Sequence, residues 1–218
     1  MAQTAKYAGS QYASGVLGTE IITYARYLIN EPTASFWNDV EMLRWINEGI
    51  LDIVTRTWCL GQTEAVTLAN DTLEFTLAQD YITVVTVHLT ETSSGNVKAL
   101  LRGHPAAVGH VQDPSEIVYW YEFDNKLGLY PTMSDTSGHT CSCYQVSVPS
   151  VISAAEAVPL PAWFDDSLTN FVISKALFKD NEVGTAKSAM QDYEKVIGRY
   201  TGDLLNKPVD KTNNPKGK

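Results

Sequence analysis

The sequence predicts an α+β protein: a helical bundle formed by N-terminal and C-terminal helices, with an antiparallel β-module, a sheet or small sandwich, inserted between them. Three observations support this. Apolar residues recur at helical spacing near both ends, the middle of the chain alternates like strands, and turns rich in Gly, Asn, Asp and Ser separate the alternating stretches. With 218 residues and 44% hydrophobic content, the chain can form one sizeable hydrophobic core and a smaller, separate β-module beside it.

A first helix is predicted from Thr19 to Ile29. Thr19 can cap its free N–H groups, and Pro32 forces a break soon after its end. The residues of its predicted apolar face recur every three or four positions and are Ile21, Tyr24, Ala25 and Leu28.

The second predicted helix has a stronger start signal. Asn38 can cap it, Glu41 can reach back to the cap, and Trp37 with Met42 fits a hydrophobic staple. Gly61 is the expected end of this helix. Its apolar stripe consists of Leu43, Ile46, Ile50, Ile53, Val54 and Trp58.

About seven strands are predicted next, mostly linked as hairpins. A hairpin is expected between 64–68 and 72–77, with its turn at 69–71. The further strand segments are 81–90, 97–102, 116–123, 126–130 and 140–148, with residues 103–115 as a loop or short helical turn.

Two further helices are predicted at the C-terminal end. Pro159 and Pro161 lead into the first, whose early Asp165 and Asp166 complement the positive end of the helix dipole. After a joint at 179–181, the last helix has an apolar seam at alternating spacings of three and four: Val183, Ala186, Met190, Tyr193, Ile197, Tyr200 and Leu204. Such a seam predicts an antiparallel helix pair.

These patterns divide the chain into four segments. They are N-terminal helices (1–62), an inserted β-module (63–150), a C-terminal helix pair (151–205) and an extended basic tail (206–218). The tail holds four lysines and one aspartate, a charge of +3, so the other 205 residues carry −12 of the total −9.

The acidic body excludes a role that depends on wrapping duplex phosphates, although it suits a channel along which DNA slides without adhering. The sequence shows no secretion signal and no apolar run of membrane-spanning length, so a protein made in the cytoplasm with no membrane partner is expected. Three cysteines, an odd number, do not predict a disulfide framework.

The best metal candidate is the segment His139-Thr-Cys141-Ser-Cys143. Its ligand types suit zinc, but alternate residues of a strand lie too far apart for one ion unless the chain bends. Small residues on a sheet face are the preferred interpretation. The four histidines fall in no catalytic arrangement, so the sequence predicts neither an enzyme nor a cofactor.

An aromatic run places Tyr119, Tyr121 and Phe123 on one face of a strand and Trp120 on the other. We interpret these faces as sheet core on one side and a contact with neighbouring subunits on the other. The alternative function is a glycan-binding β-module on a helical stalk, in which exposed rings would stack on sugars. A metal-dependent enzyme is a third and weaker hypothesis.

Five segments occur in an order that matches a known family. They are Asn30–Pro32, Leu43–Ile50, Leu127–Pro131, Cys143–Pro149 and the proline-rich Val158–Asp166 that enters the helix pair. Over residues 19–205 the chain thus resembles the head-to-tail adaptor, or connector, proteins of tailed bacteriophages, particularly those of short-tailed phages. The order and spacing of the segments carry the resemblance.

The resemblance implies a non-enzymatic virion protein without a cofactor, located at the neck between capsid and tail and assembled in the host bacterial cytoplasm. It implies a ring of copies, commonly twelve-fold, that binds the portal protein and tail nozzle or tail fibre proteins and continues the DNA channel without sequence-specific binding. Family members often send the C-terminal segment into the portal. The corresponding candidate residues here are Lys207, Pro208, Val209, Lys211, Lys216 and Lys218; a solvated tail end is the alternative.

Overall fold

The computed structural model describes residues 14–34, 36–69, 74–77, 80–104, 117–124, 126–130 and 138–206, with side chains of the last helix to residue 202. The chain divides into two compact units. Leu60–Val148 contains all the strands, and the described residues on either side of it contain the helices. This arrangement confirms the predicted α+β fold class.

In the part of the helical unit that the structure describes there are four α-helices. Their bounds are α1 (Gly18–Leu28), α2 (Asp39–Thr57), α3 (Asp165–Lys179, preceded by a 3-10 turn at Ala162–Phe164) and α4 (Val183–Asn206). Helix α3 contacts each of the other three and is buried on several sides, since four consecutive residues, 171–174, are all buried. It is therefore the centre of the bundle. In the described ranges no helix has both the length and the apolar character of a bilayer span.

Helix α1 begins differently from the prediction. Its N-cap is Leu17 in an extended conformation, and the Glu20 carboxylate accepts a hydrogen bond from the Leu17 N–H at 2.8 Å. Thr19 lies inside the helix, where its carbonyl accepts the Thr23 hydroxyl, so its prediction as the cap is wrong. The first N–H groups of the helix are satisfied by backbone carbonyls instead of by a Thr19 cap, since Gly18 N–H donates to the Glu156 carbonyl at 3.1 Å and Thr19 N–H donates to the Ala154 carbonyl at 2.8 Å.

Helix α2 begins as predicted and ends earlier. The Glu41 N–H donates to Asn38 Oδ1 at 2.8 Å, which confirms the cap. The Glu41 carboxylate accepts a hydrogen bond from Lys179 Nζ instead of from the cap backbone. Trp58 adopts the left-handed conformation, with φ of 54°, that closes the helix. Gly61 is therefore not the end of α2; it is the first residue of a strand.

The last two helices form the predicted pair. Helices α3 and α4 pack against each other and are joined by a short connection, residues 180–182, in which Asn181 has a φ of 63°. Within the seam, Ala186, Tyr193 and Ile197 are buried, while Val183 at the beginning of α4 is exposed.

The described residues of the β unit form eight strands in two sheets. The strands are β1 (Gly61–Thr67), β2 (Glu74–Phe75), β3 (Tyr81–Thr90), β4 (Val97–Ala99), β5 (Leu101–Arg102), β6 (Tyr119–Phe123), β7 (Lys126–Tyr130) and β8 (Thr140–Ser147). The first sheet has the order β1-β8-β3-β4 and is antiparallel throughout. The second has the order β2-β7-β6-β5, with β5 and β6 parallel.

Two of the predicted hairpins are confirmed, β3–β4 and β6–β7. Gly95 (φ +68°) and Asp124 (φ +50°) supply the left-handed turn conformations that these tight connections need. The predicted hairpin between 64–68 and 72–77 is wrong, because β1 pairs with β8 and β2 pairs with β7. The predicted loop at 103–115 lies almost wholly outside the described residues.

The inner faces of the two sheets share one hydrophobic core. The first sheet contributes Val84, Val87 and Cys143, and the second contributes Trp120 and Leu129. Val66 and Phe75 pack against this cluster from different sheets. This explains the failed hairpin: both apolar segments reach the same core when the chain crosses from one sheet to the other. The β unit is a small sandwich.

Candidate functional site

The outer face of the second sheet carries the aromatic cluster that the sequence singled out. Tyr121 is paired with Gly128 on the neighbouring strand, and its ring lies directly over that glycine. Only 4% of Tyr121 is exposed, and its hydroxyl donates to Glu74 Oε1 at 2.9 Å. Burial and this hydrogen bond raise the pKa of Tyr121 to about 12. Tyr121 is therefore held within the unit.

The other tyrosines of this face also contact one another. The rings of Tyr119 and Tyr130 stack, with centroids 5.1 Å apart and an interplanar angle of 17°. Tyr130 also lies 5.9 Å from Tyr121. This tyrosine cluster (Tyr119, Tyr121 and Tyr130) forms a rigid platform, because each ring is fixed by another ring.

Two apolar residues of the same sheet are open to solvent. Phe123 is 65% exposed at the end of β6, and Leu101 is 58% exposed on β5, where it pairs with Tyr119. Trp120 lies on the opposite face in the core, with the Arg102 guanidinium 5.1 Å above its ring. Of the three aromatic residues predicted to contact neighbours, Phe123 thus presents the largest accessible ring.

Helix α1 carries a second exposed aromatic surface, which the sequence interpretation missed. Tyr27 is 75% exposed, and Tyr24 and Leu28 are each about half exposed. Tyr24 and Leu28 were assigned to the buried stripe. The stripe that packs inward is Gly18, Ile21, Ile22 and Ala25. Both the predicted and the observed stripe have i, i+3, i+4, i+7 spacing, so the spacing alone does not distinguish them.

Two shallow concavities of about 440 and 280 Å³ share Glu20 and Tyr24. The smaller one also contains Asp165 and Asp166 at the beginning of α3. Ser14 Oγ donates to Asp165 Oδ2 at 2.8 Å. Burial, the largest cause, raises the pKa of Asp165, with the Asp166 charge contributing in the same direction. The surface around α1 is thus aromatic on one side and acidic on the other.

The cysteine pair of the His139 segment lies in the core of the β unit. Cys141 and Cys143 are wholly inaccessible, with their Sγ atoms 3.9 Å apart. Their mutual hydrogen bond and burial raise the pKa of Cys141. No group of three or more His, Cys, Asp or Glu among the described residues is arranged to hold a metal ion.

The predicted portal-docking residues Lys207, Pro208, Val209, Lys211, Lys216 and Lys218 lie outside the described residues.

Comparison with known proteins gives the family. The sequence profile of the family described as SU10 adaptor protein matches residues 18–215, which include every described helix and strand. The chain belongs to this adaptor family. The resemblance to phage head-to-tail adaptor proteins, which the order of five segments predicted, is confirmed.

One solved structure similar to the adaptor is described as the neck of an empty GTA particle computed with C6 symmetry. A chain of that particle is 14% identical, and the match covers 79% of this chain and 80% of that one. The TM-score is 0.28, which is too low to establish a shared fold. No curated protein matches the adaptor.

Proposed function

We propose that this adaptor is a non-enzymatic virion subunit that forms a ring at the neck, binds the portal above and tail proteins below, and continues the DNA channel. The observation that carries the proposal is the match of the adaptor family to residues 18–215, through both compact units. Assembly in the host cytoplasm and a twelve-fold ring are part of the proposal.

The exposed surfaces support an assembly role. A subunit of a closed ring needs two different lateral faces, as well as contacts above and below. The α1 surface around Tyr24 and Tyr27 and the sheet surface around Leu101 and Phe123 are separate apolar patches on different units. Exposed apolar patches mark sites of protein–protein contact.

The charge distribution supports a channel role and a portal-binding tail. A body of net charge −12 repels DNA phosphates, so DNA can pass without sequence-specific binding. The tail of +3 suits acidic grooves on a partner, and repetition around a ring multiplies a weak contact through effective concentration. We assign portal docking to the tail and tail-protein contacts to the inserted β-module, 63–150.

Removal of the tail tests portal docking. A chain truncated after Leu205 should bind purified portal at least about tenfold more weakly than the full chain, because it loses four positive charges. The matched control keeps the length and changes the four tail lysines to glutamine; it should be weakened similarly and lose salt dependence. Equal binding by the truncated and full chains would contradict tail docking.

A substitution of Phe123, the exposed aromatic residue of the β-module, tests the contact with tail proteins. Particles assembled with Phe123→Ser subunits should show fewer attached tails by electron microscopy, because the change removes an exposed apolar contact. The control is Val151→Ser, which changes an even more exposed apolar residue (83%, against 65% for Phe123) on the helical unit. Each variant should stay within about 0.5 kcal/mol of wild type in stability. Normal tail attachment with Phe123→Ser would argue against this surface.

A further inference from the structure

Strand β1 is an edge strand with little of the usual protection, since Glu64 is its only charged residue. Among the described strands it pairs only with β8, in continuous register from Gly61 to Thr67. Proteins usually protect a long edge with proline, lysine or a bulge, since its free N–H and C=O groups attract other strands. The register of β1 has no shift, and its sequence contains neither proline nor lysine.

The hydrogen bonds show which β1 residues face the open edge. Ser147 N–H donates to the Leu60 carbonyl, and Leu68 N–H donates to the His139 carbonyl, so even-numbered residues bond toward β8. Main-chain groups alternate in direction along a strand. The odd-numbered residues, all of them exposed, therefore direct their N–H and C=O groups outward; they are Gly61, Thr63, Ala65 and Thr67.

The opposite edge of the same sheet is complementary. On β4, Leu100 N–H donates to Val87 and the Asn96 carbonyl accepts from Glu91, so even-numbered residues bond toward β3. Val97 and Ala99 therefore direct their main-chain groups outward, and both are exposed. The first sheet thus presents free main-chain groups at both edges of its described strands.

We propose that the sheet continues from copy to copy, with β1 of one subunit pairing with β4 of its neighbour. This inference rests on the proposed ring. Three successive antiparallel pairings make β1 and β4 run in opposite directions. Rotation about an axis along the strands preserves strand direction, so the joint between copies is also antiparallel. Joining two different edges is a heterologous contact, which can close into a ring.

Side-chain direction and main-chain hydrogen bonding fit one register, in which Glu64 lies opposite Lys98. Both residues have partners within their own chain, and this register adds an opposite charge beside each of them. Thr63 then bonds with Ala99, and Ala65 with Val97, which makes four main-chain hydrogen bonds. Within one subunit, cross-strand pairs link Ala65 to Ser142, Ser142 to His88, and His88 to Ala99. Paired residues have their side chains on the same face of a sheet, so the side chains of the outward-bonding residues at both edges lie on one face. The joined sheets therefore keep a continuous outer surface.

Proline at position 65 tests the joint without breaking the subunit. The Ala65 N–H faces the open edge, where proline is tolerated in sheets. Ala65→Pro should leave the circular dichroism spectrum unchanged and weaken self-association at least about tenfold. The change removes the Ala65 N–H donor and leaves the Val97 carbonyl of the neighbouring copy without a hydrogen-bond partner. Ala65→Val, which keeps the N–H, should associate like wild type. Sedimentation velocity over a concentration series gives the oligomeric state.

Complementation separates this joint from any other contact. Ala99→Pro should block the β4 edge and also give monomers. An equimolar mixture of Ala65→Pro and Ala99→Pro should then form dimers and nothing larger, since one intact edge remains on each variant.

Wild-type-sized assemblies of Ala65→Pro, or a mixture that stays monomeric, would overturn the joint. So would a wild-type chain that is monomeric at every concentration, or slow amide exchange at Ala65 in the monomer, which would indicate that another part of the same chain covers the edge. The proposed neck position is tested separately by locating labelled subunits in particles. A neck ring that also assembles from Ala65→Pro would reject only the joint.

Discussion

Replacing Arg26 by alanine is expected to lower the free energy of unfolding of the helical unit by about 3 kcal/mol, because it takes a buried cation away from the Trp37 carbonyl and from the largely buried Glu31 carboxylate. The Arg26 side chain is only 6% exposed. Its guanidinium donates to Asp39 Oδ1 at 2.7 Å and to the Trp37 carbonyl, and lies 3.5 Å from the Glu31 carboxylate. One side chain thus fixes the end of α1, the connection that follows and the first turn of α2.

The matched control for this change is Arg44→Ala. The Arg44 side chain is 80% exposed and pairs with Glu48 one turn along the same helix. Such a surface pair contributes about 0.5 kcal/mol or less. Urea unfolding followed by far-UV circular dichroism measures both variants, since the helices dominate the signal. Equal losses for Arg26→Ala and Arg44→Ala would contradict a structural role for the buried cation.

Replacing Gly128 by alanine is expected to destabilise the β unit by about 2–4 kcal/mol, because the new methyl group and the Tyr121 ring cannot occupy the same space. A Cβ atom at position 128 would lie 2.0 Å from Tyr121 Cζ and 2.4 Å from Cε1. The ring would have to move away, with loss of its hydrogen bond to Glu74. The pKa of Tyr121, about 12 in the native protein, should fall toward its ordinary value near 10.

Two further variants identify the cause of this loss. Gly61→Ala adds the same methyl group to a strand position with open space around it and should stay within about 0.5 kcal/mol of wild type. Combining Gly128→Ala with Tyr121→Ala should cost less than the sum of the single changes, since the clash is absent in the double variant. Strict additivity, measured by thermal unfolding, would reject the ring-over-glycine explanation.

Features set by neighbouring residues were predictable from the sequence. The Asn38 cap of α2 depends on a side chain and an N–H three residues apart. The β3–β4 and β6–β7 hairpins depend on short turns with left-handed residues. The α3–α4 seam depends on a spacing of apolar residues that is repeated over several helical turns. The prediction of the helix pair therefore holds although the first residue of the seam, Val183, is exposed. In each case the deciding interactions lie close together along the chain.

The aromatic site was only half predictable. Alternation correctly separated Trp120 from its tyrosine neighbours, because side-chain direction on a strand follows from local geometry. Alternation gave no reason to distinguish Tyr121 from Phe123. Their difference depends on Gly128 beneath the Tyr121 ring and on Glu74, 47 residues away in the sequence, which accepts its hydroxyl.

By itself the sequence determined the helix–β–helix order, the periodicity of each segment and the family to which the chain belongs. The tertiary structure alone decided that β1 and β2 join different sheets, that Tyr24 and Leu28 face outward from α1, and that β1 and β4 are the edges of the first sheet among the described strands. The physical reason is that strand partners and buried helix faces are selected by a core assembled from distant segments. Several strand pairings and helix faces would bury similar apolar residues in the same core, and only the complete fold selects one of them.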